Sequence, residues 1–584
     1  MSLPEEPLLK DLGAGPYIHE TPSERYPVYT RGNAGEVWPE VAYPLSISIS
    51  RSVPDPLVQT MVDTGIVTHD DLVDGTACAG GCFGGYMYLN LSLNRMIAVR
   101  SPGVSIEESD AIYMGSEGIA PPHTPHPDDK SVRGSINAIR YMIGVLRTKA
   151  LPELADDVRF VEAEGAKLAA ALDHDDDDAL LAEIRRRIAD IMRLFSRHIE
   201  TTGKAGAAVQ YLSSICEKQL DDRSLALTLI SGIGDVSSAA PSWGLWDLGR
   251  TVAASDALTA AFDDGVPGLA DRLDHLPAAR EFNRSFATFL DAYGSRGPNE
   301  WESASDTWGT KPELALALID RMRGADERQA PEARAKALTA ERLRVHDEAR
   351  ARMPRPLRRL FDNAVRTASM YSIGRERSKT TVIDLIHQQR LLTRELARRV
   401  VAKHPGTAAD DVWFCLGDEL DAFMADPSQF ADAIAQRRAT REELSRRVPP
   451  FVFEGEMPPV DEWELRDDLS NVTALAPGES ITGLSAVTGV AEGRACIVTD
   501  AFDPGDLGPG DVLIAPLTDP AWTPLFIPAE AVVVDVGGQM SHAVIVAREF
   551  GMPCVVAATD ATKRIPHGAR VRVDGTTGTV TLLD

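Results

Sequence analysis

The sequence predicts a multidomain chain, mostly α-helical in its N-terminal and central regions and closed by a compact C-terminal β/α (β/β/α) domain. Three observations predict this. The chain has 584 residues, and single hydrophobic cores stop growing near roughly 250–300 residues. Between residues 131 and 450 apolar residues recur at i, i+3, i+4 and i+7, separated by Arg, Glu and Asp, which is the spacing of amphipathic helices. From residue 481 the texture changes to short β-branched runs bounded by Gly, Pro and Asp.

Residues 1–130 are rich in Gly, Pro and aromatic residues and read as a loop-rich N-terminal part. His123 and His126, spaced H-x2-H among prolines, read as exposed loop residues rather than metal ligands. Residues 131–450 form the helical domain, with clear runs at 177–200 and 381–404. The Asp run at 175–178 reads as an interhelix loop. It places carboxylates at the next helix N-terminus, where the macrodipole favours them. GPNEWESASDTWGTKP (297–312) interrupts the helices and reads as a structured loop. Residues 451–480, rich in Pro and acidic residues and without steady periodicity, read as a linker.

Residues 481–584 hold strand candidates at 494–499, 511–516, 531–535 and 553–558, and a closing hairpin around Asp574-Gly575. A helix fits at 541–550, so the centre of this domain reads as strand, helix, strand.

The formal net charge is −27. Such a surface repels nucleic acid phosphates and anionic lipid, so neither nucleic acid nor membrane is an expected partner. No stretch approaches the ~18 apolar residues of a membrane span. The N-terminus, MSLPEEPLLKDLG, is acidic and lacks an apolar core, so a cytoplasmic location is expected. Of the six cysteines only Cys78 and Cys82 are close, and no second ligand pair follows at zinc spacing. No metal site is expected.

The chemistry concentrates in AVVVDVGGQMSHAVIVAREFGMPCVV (531–556). A buried strand leads to Gly537-Gly538, the chain turns past Ser541 and His542, and a helix follows that ends at Gly551 before Pro553. Glycines let backbone approach a large anion. Unpaired N–H groups at a helix N-terminus favour that anion. The same dipole disfavours imidazolium and keeps His542 nucleophilic. Ser541 is placed to cap the helix.

The whole segment resembles the mobile, swivelling domain of phosphoenolpyruvate-utilising enzymes, a family that includes phosphoenolpyruvate synthase, pyruvate phosphate dikinase and rifampicin phosphotransferase. The shared pattern is two glycines, two variable positions, Ser-His-Ala, then Ala-Arg-Glu-x-Gly-x-Pro, met at Gly537, Gly538, Ser541, His542, Ala543, Ala547, Arg548, Glu549, Gly551 and Pro553. The flanking segments 483–500, 510–526 and 574–583 resemble the same domain. The resemblance implies that His542 carries a phosphoryl group between two sites, with Gly537, Gly538, Ser541, Arg548 and Glu549 in support.

A looser resemblance to the substrate domain of rifampicin phosphotransferase-like proteins covers YTRGNAGEVWPEVAYPLS (29–46), 82–95 and 289–308. The family pattern Tyr-Gly-His-Arg-Gly has Ser295 in its His position here. Arg31, Glu36, Arg296 and Glu300 either line an acceptor or docking site or brace these loops. Tyr86, Tyr88 and Trp38 are candidate pocket walls, and Arg375, Glu376 and Lys379 candidates for a docking surface.

No nucleotide-binding loop of an ATP-grasp domain is found in the sequence. The expectation is a phosphotransferase component, of the rifampicin phosphotransferase-like or phenylphosphate synthase-like kind and without that domain. It would carry phosphate on His542 from a separate ATP-grasp, or phosphoenolpyruvate-dependent, donor protein to a hydroxyl of a small organic acceptor. ATP and Mg²⁺ would then act through the partner, with no cofactor held tightly by this chain. The alternative is a non-catalytic small-molecule-binding or regulatory protein with a vestigial or regulatory phosphohistidine domain.

Overall fold

The structure, a computed structural model, describes residues 20–51, 56–72, 78–114, 120–173, 176–234, 240–324, 330–466, 472–501, 505–518, 520–538 and 541–583. The chain forms two compact units. The first comprises residues 1–204, 301–304 and 378–468, and the second 205–300, 305–377 and 469–584. The expected boundaries at 130/131 and 450/451 are not where the chain divides. The division falls inside two helices far longer than the periodic runs suggested. These are α2 (Asp177–Leu220) and α4 (Arg358–Lys403), which follow α1 (Val132–Arg147) and, in the case of α4, α3 (Pro331–Arg352). Asp177 and Asp178 do occupy the first turn of α2, and Asp177 pairs with Arg399 and Lys403 on α4.

The first unit contains a sheet that the loop-like composition of 1–130 concealed. Strands β1 (Val28–Thr30), β2 (Gly80–Phe83), β3 (Tyr86–Asn90) and β4 (Val452–Glu454) form an antiparallel sheet in the order β2-β3-β1-β4. Tyr29 stands opposite Phe453. Tyr29, Phe83, Tyr86, Tyr88, Phe453 and Trp463 form one buried aromatic cluster. The linker reading of 451–480 is thereby corrected over 451–466. Phe453 and Trp463 are spaced too irregularly to show as a pattern, yet they anchor that stretch in the first unit's core.

In the second unit a mixed eight-stranded sheet carries the C-terminal domain. Its strands are β5 (Ser480–Thr482), β6 (Leu484–Val487), β7 (Val490–Ile497), β8 (Asp511–Ala515), β9 (Ala529–Val534), β10 (Cys554–Val556), β11 (Arg570–Asp574) and β12 (Thr579–Leu582), in the order β5-β12-β11-β7-β8-β9-β10-β6. The central pairs β7–β8, β8–β9 and β9–β10 are parallel. Helix α5 (His542–Phe550) connects β9 to β10. The mostly helical N-terminal and central regions and the C-terminal β/α domain are as the sequence predicts.

The continuous apolar runs of β8 and β9 follow from burial on both faces. Val512, Ile514, Ala531 and Val533 point into one core, with Val571, Val573 and Val580. Leu513, Ala515, Val532 and Val534 point into the other, with Ala543, Val544, Val546, Ala547 and Phe550 of α5. That second core is shared with Leu245, Trp246, Phe282, Phe289 and Met322 of the preceding helices. The face of the sheet that carries α5 is therefore packed against the helical part of its own unit.

Candidate functional site

The site is built where β9 ends. Gly537 follows three residues after the strand, and a Cβ there would lie 3.2 Å from both Ser541 Oγ and Val556 Cβ, which is too close for a comfortable side chain. The chain turns with Ser541 N–H donating to Gly538 O at 3.0 Å. Ser541 then caps α5, its Oγ accepting from Val544 N–H at 3.4 Å. His542 is the first residue of the helix and partly exposed, while Ser541 is buried. The far end closes on Gly551 in the left-handed conformation, φ 63°, which a glycine accepts without strain.

The imidazole is held from both sides. Thr518 Oγ1, beyond the end of β8, lies 3.0 Å from Nδ1, and Thr523 Oγ1 lies 3.1 Å from Nε2. Phe526 stands edge-on, with ring centroids 6.1 Å apart and planes at 85°. Both threonines are buried, at 2% exposure. A neutral imidazole has one N–H and one lone pair, so one hydroxyl accepts from the ring and the other donates to it. The arrangement fixes the ring plane and accommodates either tautomer, since each hydroxyl can donate or accept.

On the expectation that His542 carries phosphate, a phosphoryl group on either nitrogen would displace the hydroxyl facing it, whereas the other hydroxyl would keep its role. Thr518→Val and Thr523→Val are therefore expected to differ. One slows loading of His542 by about 10–100-fold, the worth of one lost buried hydrogen bond of ~1–3 kcal/mol, and the other has a smaller effect. Initial rates of label incorporation distinguish this from a ring whose reactivity is indifferent to both.

Asp535, at the end of β9, receives Thr562 N–H at 2.9 Å and the Thr562 hydroxyl. Burial pushes its carboxyl up from 3.8 to about 7, against the lowering effect of those hydrogen bonds. The folded state thus favours the protonated acid. That stabilisation is complete below about 4 and is lost as pH rises to about 7. An amide in place of the acid keeps a neutral acceptor for Thr562. We expect Asp535→Asn to match the parent chain in urea midpoint at pH 4 and to exceed it increasingly up to pH 8.

The structure brings Gly537, Gly538, Ser541 and His542 together. It does not bring Arg548 and Glu549 to the ring. They lie six and seven residues along α5, about 9 Å down its axis at 1.5 Å per residue. There they are buried beside Arg375 and Glu376. Burial pulls Arg548 below the usual guanidinium range and pushes Glu549 above the usual carboxylate range. The Arg375–Glu376 pair is 2.6 Å apart. Arg375 and Glu376 thus face the C-terminal domain, but at the far end of the helix that carries His542.

Arg31 and Glu36 lie in the first unit, and Arg296 and Glu300 in the second. Arg31 is buried, donates to the carbonyls of Trp38 (2.8 Å) and Pro39 (3.3 Å), and stacks over the Tyr86 ring at 4.5 Å. It braces its loop through carbonyls and an aromatic face. Glu36 is half-buried in the short helix Ala34–Val37. Arg296 and Glu300 form a buried ion pair at 3.0 Å. Tyr86 and Tyr88 belong to the first unit's aromatic core, whereas Trp38 packs on Trp301 with centroids 5.8 Å apart. Thr518, Thr523 and Phe526 were not singled out in the sequence, although they lie in the segment 510–526 that carries part of the resemblance.

All six cysteines are buried free thiols. Cys496, Asp506 and His567 do cluster among the described residues. However, His567 Nδ1 accepts from Ile497 N–H at 3.2 Å, which puts the ring proton on Nε2, the atom facing Asp506. Arg494 already pairs with that aspartate. This geometry does not suit a cation.

Two stretches of the chain match known families. Residues 507–578, which include Thr518, Thr523 and His542, match the family described as PEP-utilising enzyme, mobile domain. Residues 197–376 match the rifampicin phosphotransferase fourth domain. Two stretches of the chain are thus similar to known domains, one of them the fourth domain of rifampicin phosphotransferase. A rifampicin phosphotransferase of a Streptomyces species is 30% identical over 404 residues, covering 64% of this chain and 43% of that protein. That of Bacillus cereus is 28% identical over 322 residues, covering 54% and 36%. An uncharacterized protein of Mycobacterium tuberculosis is 36% identical over 316 residues, covering 54% and 33%. The chain therefore spans between a third and under a half of the length of these relatives. No helix among the described residues is long and apolar enough to cross a membrane.

Proposed function

We propose that this chain is a phosphotransferase component in which His542 receives a phosphoryl group from a separate ATP-grasp protein and passes it to a hydroxyl of a small organic acceptor. The observation that carries the reading is the imidazole at the start of α5, with a threonine hydroxyl on each nitrogen, inside a stretch that matches the mobile domain. In the first step a ring nitrogen attacks phosphorus, an N–P bond forms, and the P–O bond to the donor breaks. In the second the acceptor oxygen attacks, the N–P bond breaks, and the hydroxyl proton is released. One difficult transfer becomes two easier ones.

The helix N-terminus and the turn at Gly537 and Gly538 supply backbone N–H groups for the phosphoryl oxygens. ATP and Mg²⁺ belong to the donor protein in this scheme. Because the face bearing α5 packs against helices of its own unit, that interface must open for the carrier to reach a second site.

The test is to incubate the chain with labelled ATP and each separately encoded ATP-grasp protein of the source genome. Acid-labile, base-stable label that is absent from His542→Ala supports the reading. Absence of label with every donor overturns it in favour of a binding or regulatory protein.

A further inference from the structure

The end of α5 remote from His542 buries charge against the helices of its own unit. The side chains of Arg548 and Glu549 are 9% and 10% exposed. Gly551, just past them, lies against α3, where a Cβ on it would stand 3.0 Å from Leu338 Cδ2. Leu338 also packs on Gly232, whose carbonyl accepts from Thr339 Oγ1 at 2.9 Å and from Arg342 Nε at 3.4 Å. Gly232 N–H in turn donates to the Glu549 carboxylate. Glu376 of α4 acts on both Arg548 and Glu549 through its charge, and Arg375 acts on Arg548.

The charges of this corner are incompletely matched. Arg548 Nε and Glu549 Oε1, on successive residues of α5, are 4.0 Å apart, too far to hydrogen bond. Both atoms are buried, and neither has a hydrogen-bond partner among the described residues. Arg375 and Glu376 pair with each other at 2.6 Å. Burial works against the charged form of both Arg548 and Glu549. A buried charged group without its full set of hydrogen bonds costs free energy that hydration would restore on exposure. The same interface is joined by an apolar core, in which Trp246, Phe289 and Met322 of the helices meet Val546 and Phe550 of α5. Opening it therefore loses apolar burial but regains the hydration of two charges.

We propose that Arg548 and Glu549 form a release element, a charged pair buried at the docking face of the C-terminal domain that keeps its hold on the neighbouring helices weak enough to be reversed. The reading of His542 as a carrier enters only through the consequence, that loading waits on opening. The corner lies about 9 Å along α5 from the ring at 1.5 Å per residue, so it acts on docking without touching the reacting atoms. A contact that served stability alone would be better made by neutral groups. Replacing a buried ion pair by neutral side chains of similar volume is often neutral or stabilising, whereas removing one partner is strongly destabilising. The two kinds of substitution at this one corner are therefore expected to move docking in opposite directions.

The experiment uses the full chain with dyes on Lys336→Cys in α3 and Glu492→Cys in β7. Both positions are exposed, while all six native thiols are buried. Single-molecule energy transfer then counts docked and open molecules. Glu549→Gln leaves Arg548 buried without the carboxylate beside it and should raise the open fraction about tenfold. Arg548→Met/Glu549→Gln removes both charges, keeps an acceptor for Gly232 N–H, and should lower the open fraction about tenfold. Circular dichroism should be parental in both. Because the double variant closes rather than opens, a weakened fold does not imitate it. With a donor that labels His542, initial loading rates should follow the open fraction in both directions, as for any binding-competent state that is the minor one. Unchanged energy transfer in both variants, or a double variant that opens, would overturn the proposal. Energy transfer that shifts as expected while no donor labels the parent chain would sink the carrier reading and leave the release element standing. Loading that ignores a shifted open fraction would overturn the link between docking and loading.

Discussion

Replacement of His542 by Asn is expected to reduce phosphoryl loading to background, a loss of at least about 10⁴-fold, without unfolding the domain. The amide supplies no nucleophilic nitrogen, so the first step has no atom to form its N–P bond. The fold should tolerate the change because the helix start does not depend on the ring. Ser541 makes the cap to Val544 N–H, and Gly538 O closes the turn. The ring's packing partner, Phe526, is held by the rest of its core. Equal thermal midpoints with label lost would separate chemistry from stability. Residual label in the Asn variant would place the carrier on another residue.

The second large effect is on stability. Arg296→Met should destabilise the second unit by roughly 3–5 kcal/mol, because it leaves the Glu300 carboxylate buried without its guanidinium. Their side chains are 4% and 1% exposed and 3.0 Å apart. The surrounding loop depends on the same stretch, since Trp308 N–H donates to Arg296 O at 2.8 Å. The double variant Arg296→Met/Glu300→Gln should recover much of the loss, since removing both charges is far milder than removing one. Urea midpoints of the parent, single and double variants decide the matter. A single variant of parental stability that weakens only the acceptor's apparent affinity would instead put Arg296 in the acceptor site.

The parts of the fold that were legible in the sequence are those with local patterns. Val512 to Ala515 and Ala531 to Val534 read as buried strands because both sheet faces are covered. Ser541, His542 and Gly551 read as a helix start and stop because caps use few residue types. The four-stranded sheet did not read, since β1 and β4 are three residues each and pair across more than four hundred positions, Tyr29 with Phe453. A contact at that separation leaves no trace in a local window. The hydroxyls on His542 were hidden for a related reason. Thr518 and Thr523 are ordinary residues until β8 and the following turn carry them to the ring. Arg548 and Glu549 illustrate the opposite error. They are part of the same sequence pattern as His542, but 3.6 residues per turn carries them to the other end of α5.

The most direct measurement is to load the chain with its donor and map the phosphoryl group by mass spectrometry under conditions that preserve phosphoramidates. The account predicts a single modified peptide, with fragmentation placing the phosphoryl group on His542. A group found on Ser541, on Thr523 or on any other side chain, with His542 unmodified, would contradict it.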